Sequence, residues 1–600
     1  MCGIAGILKY DNEIVNESEI RILTDLMHHR GPDGEGVYCD GAIGLGHRRL
    51  AIIDLSDDGK QPMLYGDRYV ITYNGEIYNY LEIRKELEDK GYVFKSQTDT
   101  EVILAAYDNY GEDCVNLFNG MWSFVIYDKM KQRLFCCRDR FGVKPFYYSI
   151  VNGKFIFSSE IKPILTQHLT VKVNKRILME YLVLNMSDHT NDTFFEGVNT
   201  LAGGHKLIFD LQTKTFNIHK YYTIARNEKL NQLSEQQTLK LFLSEFERSV
   251  TWRLRSDVKI GACLSGGLDS SFISAVASRL HNMESGEKFN AITAESLDPA
   301  VNEKEFARLV VDKLNLEWHV TSPTTLDFLN DVKNLVRIQE EPFGTPSVYL
   351  QYAVMKKAKQ NGVTVLLDGQ GADEILLGYP RYIGAFLKSL SFWRRFFVLR
   401  NITRNYGISL KSILLNYFYF TNVNIRKLRV LSRLGRINKD YLESIDFITV
   451  SALSKAYGNL NELQNMEITQ TQIPQLLKWE DKNSMACSIE TRLPFMDYSV
   501  VETSLSINNK YKLNNLWSKY ILRKAMEGML PAEIVFRRKK IGFTAPTKEW
   551  LHNTILWNDV MVSPLLNSIF ENNISKPKDV NLMWRMCNIA LWEKEFNVKG

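Results

Sequence analysis

Met1-Cys2-Gly3-Ile4-Ala5-Gly6 opens the chain, and removal of the initiator methionine leaves Cys2 as its N-terminal residue. One residue then holds two catalytic groups, a thiol with an ordinary pKa of about 8.5 and an α-amine of about 7.7–8.0. The amine can serve as general base for its own thiol near neutral pH, so no histidine partner is required. Taken alone, a cysteine ahead of an apolar run is more often a small buried hydrophobe starting a strand. The rest of the sequence reverses that balance.

A second stretch, Ser265-Gly266-Gly267-Leu268-Asp269-Ser270-Ser271, follows the apolar run Lys259–Leu264 and opens the helical pattern Ser270–Arg279. Strand, glycine turn and helix in that order let backbone N–H groups cradle an anion at a helix N-terminus. The serines add hydroxyl donors, and Asp269 can hold a Mg²⁺ that balances phosphate charge. The pattern is not G-x-x-x-x-G-K-S/T. It resembles the PP-loop of ATP pyrophosphatases, which cleave ATP between its α and β phosphates. A further acidic glycine loop, Asp368-Gly369-Gln370-Gly371-Ala372-Asp373-Glu374, follows the run Val363–Leu367. Its place at a strand end suits the ligand crevice of a parallel sheet, with Asp373 completing a metal pair with Asp269.

The 600 residues suffice for two to four domains, with 45% hydrophobic and 24% charged residues. A net charge of +5, from 74 basic and 69 acidic residues, argues against general nucleic-acid binding. The eight cysteines form no C-x-x-C framework and no metal-ligand spacing with histidine. A reduced, cytoplasmic setting is expected. The opening residues do not read as a signal peptide, and no membrane-spanning apolar stretch is expected. The basic and aromatic region 385–435 is expected to form buried helices with a solvated basic face rather than a membrane-surface site.

Short apolar runs at Gly3–Leu8, Ala42–Leu45, Leu50–Ile53, Tyr69–Tyr73, Phe124–Tyr127 and Lys154–Phe157 predict a strand-rich α+β domain, 2–210, with helices over Leu81–Lys90 and Glu101–Tyr110. Beyond the helix Gln237–Leu254, strand-helix units at Lys259–Leu264, Asn290–Ala294 with Glu303–Lys313, and Thr364–Leu367 predict a parallel α/β domain, 225–600. From about 380 the chain reads as mostly helical to its end, with 385–465 as a helical aromatic and basic insertion.

With Cys2 and the PP-loop in place, the sequence resembles the glutamine-hydrolysing asparagine synthetases along nearly its whole length. The blocks that carry this are His29-Arg30-Gly31-Pro32-Asp33, Arg49-Leu50-Ala51-Ile52-Ile53-Asp54, Tyr73-Asn74-Gly75-Glu76-Ile77-Tyr78-Asn79, Thr98-Asp99-Thr100-Glu101 and Arg138-Asp139-Arg140-Phe141-Gly142-Val143-Lys144-Pro145 in the first half. In the second half they are Trp479–Ala486, Glu490–Asp497 and Arg538-Lys539-Lys540-Ile541-Gly542-Phe543. The resemblance implies an N-terminal-nucleophile αββα domain of class II glutamine amidotransferase type, then an α/β PP-loop domain of the adenine nucleotide α-hydrolase kind with a helical C-terminal region.

It also implies roles. Arg49 takes the glutamine carboxylate, with Leu50, Ala51, Ile52 and Ile53 beside it, while Asp99 and Glu76 hold the ammonium. Asn74 and the Gly75 N–H form the oxyanion hole. Leu264, Ser265, Gly266, Gly267, Asp269, Ser270, Ser271, Thr293, Asp368 and Gly369 bind ATP, Asp269 and Asp373 bind Mg²⁺, and Lys540 neutralises the leaving pyrophosphate. Gln370 stands where many members carry a glutamate implicated in adenylate formation, and Thr293-Ala294 replaces a glycine-containing strand end. The expected substrates are glutamine, ATP and aspartate, or another carboxylate such as a uronic-acid sugar, and a homodimer is the default assembly.

Overall fold

The computed structural model describes residues 2–298, 302–391, 393, 395, 409–425, 428, 437–514, 517–537, 544–552, 555–571 and 574–600. Twelve strands build its first half. They are β1 (Gly3–Lys9), β2 (Gly34–Asp40), β3 (Ile43–Arg49), β4 (Met63–Tyr65), β5 (Tyr69–Ile77), β6 (Gly120–Asp128), β7 (Arg133–Arg138), β8 (Tyr147–Val151), β9 (Lys154–Ser158), β10 (Val198–Thr200), β11 (His205–Asp210) and β12 (Thr215–Lys220). Two six-stranded antiparallel sheets result, ordered β10-β8-β9-β1-β3-β2 and β12-β11-β7-β6-β5-β4.

The alternation of β1 shows why the sheets stack. Ile4 and Leu8 face the second sheet and share a core with Val70, Val125 and Leu134, whereas Ala5 and Ile7 face the helix Glu17–Asp25 through Ile20 and Leu23. That helix lies close because β3 is bare there: a Cβ on Gly44 would stand 2.6 Å from Ile20. On the far side, Tyr73 and Phe124 pack against the helices Tyr80–Glu88 and Asp99–Tyr110. The layers are helix, sheet, sheet, helix, as expected. Strand β12 hairpins onto β11, so the sheet continues to Lys220, beyond the expected boundary at 210.

The second half holds a parallel sheet, β13 (Ile260–Cys263), β14 (Asn290–Ala294), β15 (Glu317–Thr321), β16 (Val365–Leu367) and β17 (Glu490–Arg492), in the order β15-β14-β13-β16-β17. The strand order reverses between β13 and β16, and both glycine loops leave the carboxyl ends of these two strands, where such sheets open a crevice. The late edge strand β17 interrupts the mostly helical region expected beyond 380. At three residues it is too short to show a period of its own.

Leu50–Ile53 is likewise not a strand but a loop leaving β3. Its apolar residues Leu50 and Ile52 join Tyr78, Met121 and Phe141 in the core that surrounds β13 and the helix Leu268–Ser285. Hydrophobicity there serves the seam between the halves rather than a sheet. The insertion is helical where described, with helices Tyr382–Ser389, Leu410–Thr421, Lys439–Glu443, Phe447–Ala456 and Leu460–Thr469. Leu410–Thr421 is not the buried helix expected: Leu414, Leu415 and Phe418 are 46%, 53% and 51% exposed. No helix among the described residues is long and apolar enough to cross a membrane.

Candidate functional site

Cys2 is buried immediately ahead of β1. Its N–H donates to Asn74 Oδ1 at 2.9 Å, and its carbonyl accepts from Arg30 Nε at 3.1 Å. Asn74-Gly75 could have been a hairpin turn, but both residues lie within β5, opposite Ser123 and Trp122. With Oδ1 committed to Cys2, Asn74 Nδ2 is a buried donor that lacks a partner among the described residues. Such a donor costs about 1–3 kcal/mol unless something accepts from it. Gly75 lets β6 approach, since a Cβ would sit 2.1 Å from the Met121 carbonyl.

Burial pushes the Cys2 thiol up, and the Leu50 backbone and the Arg49 charge pull it back toward the reactive thiolate. The Arg49 guanidinium donates to the Ser56 carbonyl at 2.6 Å and also to that of Asp54. The Ala51 N–H is fixed by Asp33 Oδ2 at 2.9 Å. Ile52 is buried in the seam and Ile53 half-buried beside it.

Thr98 caps the helix Asp99–Tyr110 and so sets Asp99 at its first position. There Asp99 Oδ2 accepts from Tyr73 Oη at 2.7 Å and from the Ile77 N–H at 2.8 Å. Burial nevertheless raises its carboxyl to about 6. Glu76 is pushed well above the carboxylate range by burial and by the charges of Glu490 and Asp99. Its Oε1 lies 4.0 Å from Arg492 Nη2, and its Oε2 is a buried acceptor without a hydrogen bond among the described residues. Two carboxyl groups in a dry pocket, with a fixed guanidinium on the Arg49 loop, suit a ligand bearing one ammonium and one carboxylate.

The second site is a cavity of about 430 Å³ at the carboxyl ends of β13 and β16. Leu264, Ser265, Gly267, Asp269, Ser270, Asp368, Gly369, Gln370 and Asp373, all named from the sequence, line it. Ser265 Oγ accepts from the Gly267 N–H at 3.2 Å and stands 3.1 Å from Ser270 Oγ, which shapes the loop. Gly266 has φ +79°, and a Cβ there would meet Ala307 N at 2.5 Å, so only glycine fits against the helix Lys304–Leu314.

Two expected ATP-binding side chains are placed elsewhere. The Thr293 hydroxyl is spent inside β14, donating to the Leu264 carbonyl at 2.7 Å and accepting from Trp318 Nε1 at 2.8 Å. Its neighbours Ile292 and Ala294 line the cavity instead, following the two-residue period of a strand. Ser271 is fully buried beneath the loop. Lys540, expected at the pyrophosphate, lies outside the described residues.

The Asp269 and Asp373 carboxylates do converge, and they do so on Lys519. Its Nζ stands 2.6 Å from Asp269 Oδ2 and 2.6 Å from Asp373 Oδ1. Burial opposes the ammonium, but the two carboxylates win and raise its pKa. Lys519 has φ +55° just ahead of the helix Tyr520–Met526, a placement that no spacing in the sequence signals. Arg537 also lines the cavity, paired with Glu303 at 2.8 Å, and its Nη1 donates to the Gly266 carbonyl at 3.4 Å. Behind the wall, buried Glu480 accepts from Gln370 Nε2 at 3.4 Å and from Gln351 Nε2. Burial and Asp368 push the Glu480 carboxyl up, and burial does the same to Asp368.

Strand β17 serves both sites. The Arg492 and Glu490 side chains stand beside Glu76, while the Arg492 carbonyl accepts from the Asp368 N–H at 3.0 Å in the cavity wall.

Comparison with known proteins agrees with this architecture. A glutamine amidotransferase domain model matches residues 1–222 and an asparagine synthase model matches residues 241–571. The chain is 33% identical to asparagine synthetase [glutamine-hydrolyzing] 1 of Bacillus subtilis, over 92% of this chain and 88% of that protein. It is 30% identical to asparagine synthetase [glutamine-hydrolyzing] 3 of the same organism, over 94% and 92%. A putative asparagine synthetase [glutamine-hydrolyzing] 2 of Methanocaldococcus jannaschii is 36% identical over 64% of this chain and 77% of its own length. This chain therefore belongs to the asparagine synthase family, with a glutamine amidotransferase domain preceding the synthase domain.

Proposed function

We propose that the protein is a glutamine-dependent asparagine synthetase. In this reading Arg49 binds the glutamine α-carboxylate, and Asp99 with Glu76 binds its ammonium. Cys2, deprotonated by its own freed α-amine, attacks the side-chain amide carbon. The developing oxyanion accepts from Asn74 Nδ2 and the Gly75 N–H, donors that can contribute about 3–4 kcal/mol each. Collapse expels ammonia and leaves a γ-glutamyl thioester, which water hydrolyses to glutamate.

Ammonia released into neutral water would become non-nucleophilic ammonium, so a protected route along the seam is part of the proposal. At the second site the loop Ser265–Ser271 holds ATP phosphates, and the aspartate β-carboxylate attacks the α-phosphorus. Pyrophosphate leaves toward Lys519 and Arg537, and the family resemblance gives Lys540 the same charge-neutralising role. Ammonia then displaces AMP from the acyl-adenylate, giving asparagine. Asp269 and Asp373 would hold Mg²⁺, which takes one or two carboxylates plus phosphate oxygens and shields the leaving charge. The donor set fits, since both carboxylates already converge on a single positive charge.

The observation that carries the reading is the sharing of β17. One strand abuts the carboxyl cluster of the amidase pocket and the wall of the nucleotide cavity. The test is Cys2→Ala. It should abolish asparagine formation from glutamine and preserve formation from ammonia; retained use of glutamine would remove Cys2 from the mechanism.

A further inference from the structure

The glutamine site proposed above depends on charged groups that come from different elements. Arg49 ends β3, and Asp99 starts the helix Asp99–Tyr110. A ligand gripped at both ends needs a fixed span between them. Asp54 links the two. Its carbonyl accepts from the Arg49 guanidinium, and its Oδ2 accepts from the Gln97 N–H at 2.9 Å, one residue ahead of the Thr98 cap. Its Oδ1 turns the loop back on itself by accepting from the Ser56 N–H at 3.1 Å. Asp54 is half-buried with φ +54°, an uncommon conformation outside glycine. The residues that follow it, Leu55 to Asp58, are exposed, so packing on that side supplies little support.

The support comes from the other half of the chain. Arg255-Ser256-Asp257 lies between the helix Glu235–Arg253 and β13, and it straps both loops of the amidase pocket. Asp257 holds the first: its N–H donates to the Ile52 carbonyl at 2.9 Å, and its Oδ2 accepts from the Asp54 N–H at 2.8 Å. Arg255 holds the second, donating to the Tyr78 carbonyl at 2.5 Å and to the Glu82 carboxylate at 2.8 and 2.6 Å. Ile77, the residue before Tyr78, donates to Asp99. On the glutaminase reading proposed above, we infer that Asp257, which lies within the span of the asparagine synthase model, is a positioning residue of the glutamine site: by holding Asp54 it sets the Arg49 fork at its working span from Asp99. A carboxylate accepting from a backbone N–H makes one of the stronger hydrogen bonds. The nucleotide loop Ser265–Ser271 leaves the far end of the same β13, so a general displacement of that strand would also disturb synthesis from ammonia.

The test is steady-state glutamate release from glutamine by the full chain and by its Asp257→Ala and Asp257→Asn variants, with ammonia-dependent asparagine formation measured beside it. Asp257→Ala should raise KM for glutamine about fivefold or more, the worth of one such hydrogen bond. It should leave kcat near that of the parent, because the reacting amide and Cys2 are untouched. Asp257→Asn keeps an oxygen acceptor for the Asp54 N–H and should recover most of the lost affinity. Synthesis from ammonia should be alike in parent and variants. An unchanged KM in Asp257→Ala, a loss confined to kcat, a parallel loss of ammonia-dependent synthesis, or an Asp257→Asn variant as impaired as Asp257→Ala would overturn the positioning role. Absence of glutamate release by the parent would overturn the glutaminase reading itself, and this inference with it.

Discussion

Arg30 and Asp481 lock the two halves of the chain together directly behind the nucleophile. The Arg30 guanidinium, fully buried, donates to Asp481 through Nη1 at 2.9 Å and Nη2 at 3.3 Å, while its Nε holds the Cys2 carbonyl. Asp481 belongs to the helix Gln472–Met485, whose neighbouring residue Glu480 accepts from Gln370 in the other site. One helical step thus separates a group that steadies the amidase pocket from one that steadies the nucleotide wall.

Asp481→Ala should be strongly destabilising, by about 3–5 kcal/mol, because among the described residues it leaves the buried Arg30 guanidinium with Glu160 at 3.3 Å as counter-charge. Glutaminase activity should fall further than ammonia-dependent synthesis. Denaturant melts alongside the two assays check this, and a variant as stable as the parent would show that the pair is not a lock.

Asn74→Ala removes the buried donor beside Cys2. Glutamine turnover should fall by about 10²–10³ in kcat with a small change in KM, the signature of a group used in the transition state. Ammonia-dependent synthesis should be untouched. A pure KM effect would make Asn74 a substrate-binding residue instead.

The amidase and nucleotide halves differed in how much their sequence disclosed. Cys2 was read from its place at the start of the chain, whereas Asn74, Gly75 and Asp99 were named through the family resemblance; the structure sets the first two inside β5 and the third at the start of the Thr98-capped helix. Lys519 was named by neither, since it reaches Asp269 across 250 positions from a left-handed residue between two short elements. Thr293 shows the converse error. It was named at a position where the family carries a glycine-containing strand end, but the strand turns that side chain inward and gives the cavity to Ile292 and Ala294. The Leu50–Ile53 run read as a strand because a seam between two cores is as apolar as a sheet.

The Asp99 carboxyl, raised by burial to about 6, sets a pH limit. Protonated, it cannot pair with a substrate ammonium, so kcat/KM for glutamine should fall as pH drops through about 6 and level off above it. The linkage to folding has the opposite sense. Because the folded pKa lies above the ordinary value of about 3.9, the stabilisation from Asp99 is complete below that value and is lost as pH rises through about 6. A glutamine kcat/KM that stays flat from about pH 7 to about pH 5 would exclude Asp99 as the ammonium partner.

Lys519→Met deletes the cation between two carboxylates. The variant should lose AMP formation with either nitrogen source. Without metal it should be less stable, since the two half-buried carboxylates then face each other without the ammonium that lies between them. Added Mg²⁺ should raise its melting temperature more than that of the parent, whose own lysine competes for the site. Equal Mg²⁺ responses in the two proteins would place the metal away from Asp269 and Asp373.

The central claim is that Cys2 chemistry in one half supplies the nitrogen fixed in the other. It is tested most directly by counting glutamate, AMP and asparagine released by the purified protein from glutamine, ATP and Mg²⁺, with and without aspartate. The account predicts that AMP appears only with aspartate, in equal amounts with asparagine, and that glutamate keeps pace. Glutamate release with no aspartate-dependent AMP would contradict it and assign the cavity at Asp269 and Asp373 to a different carboxylate.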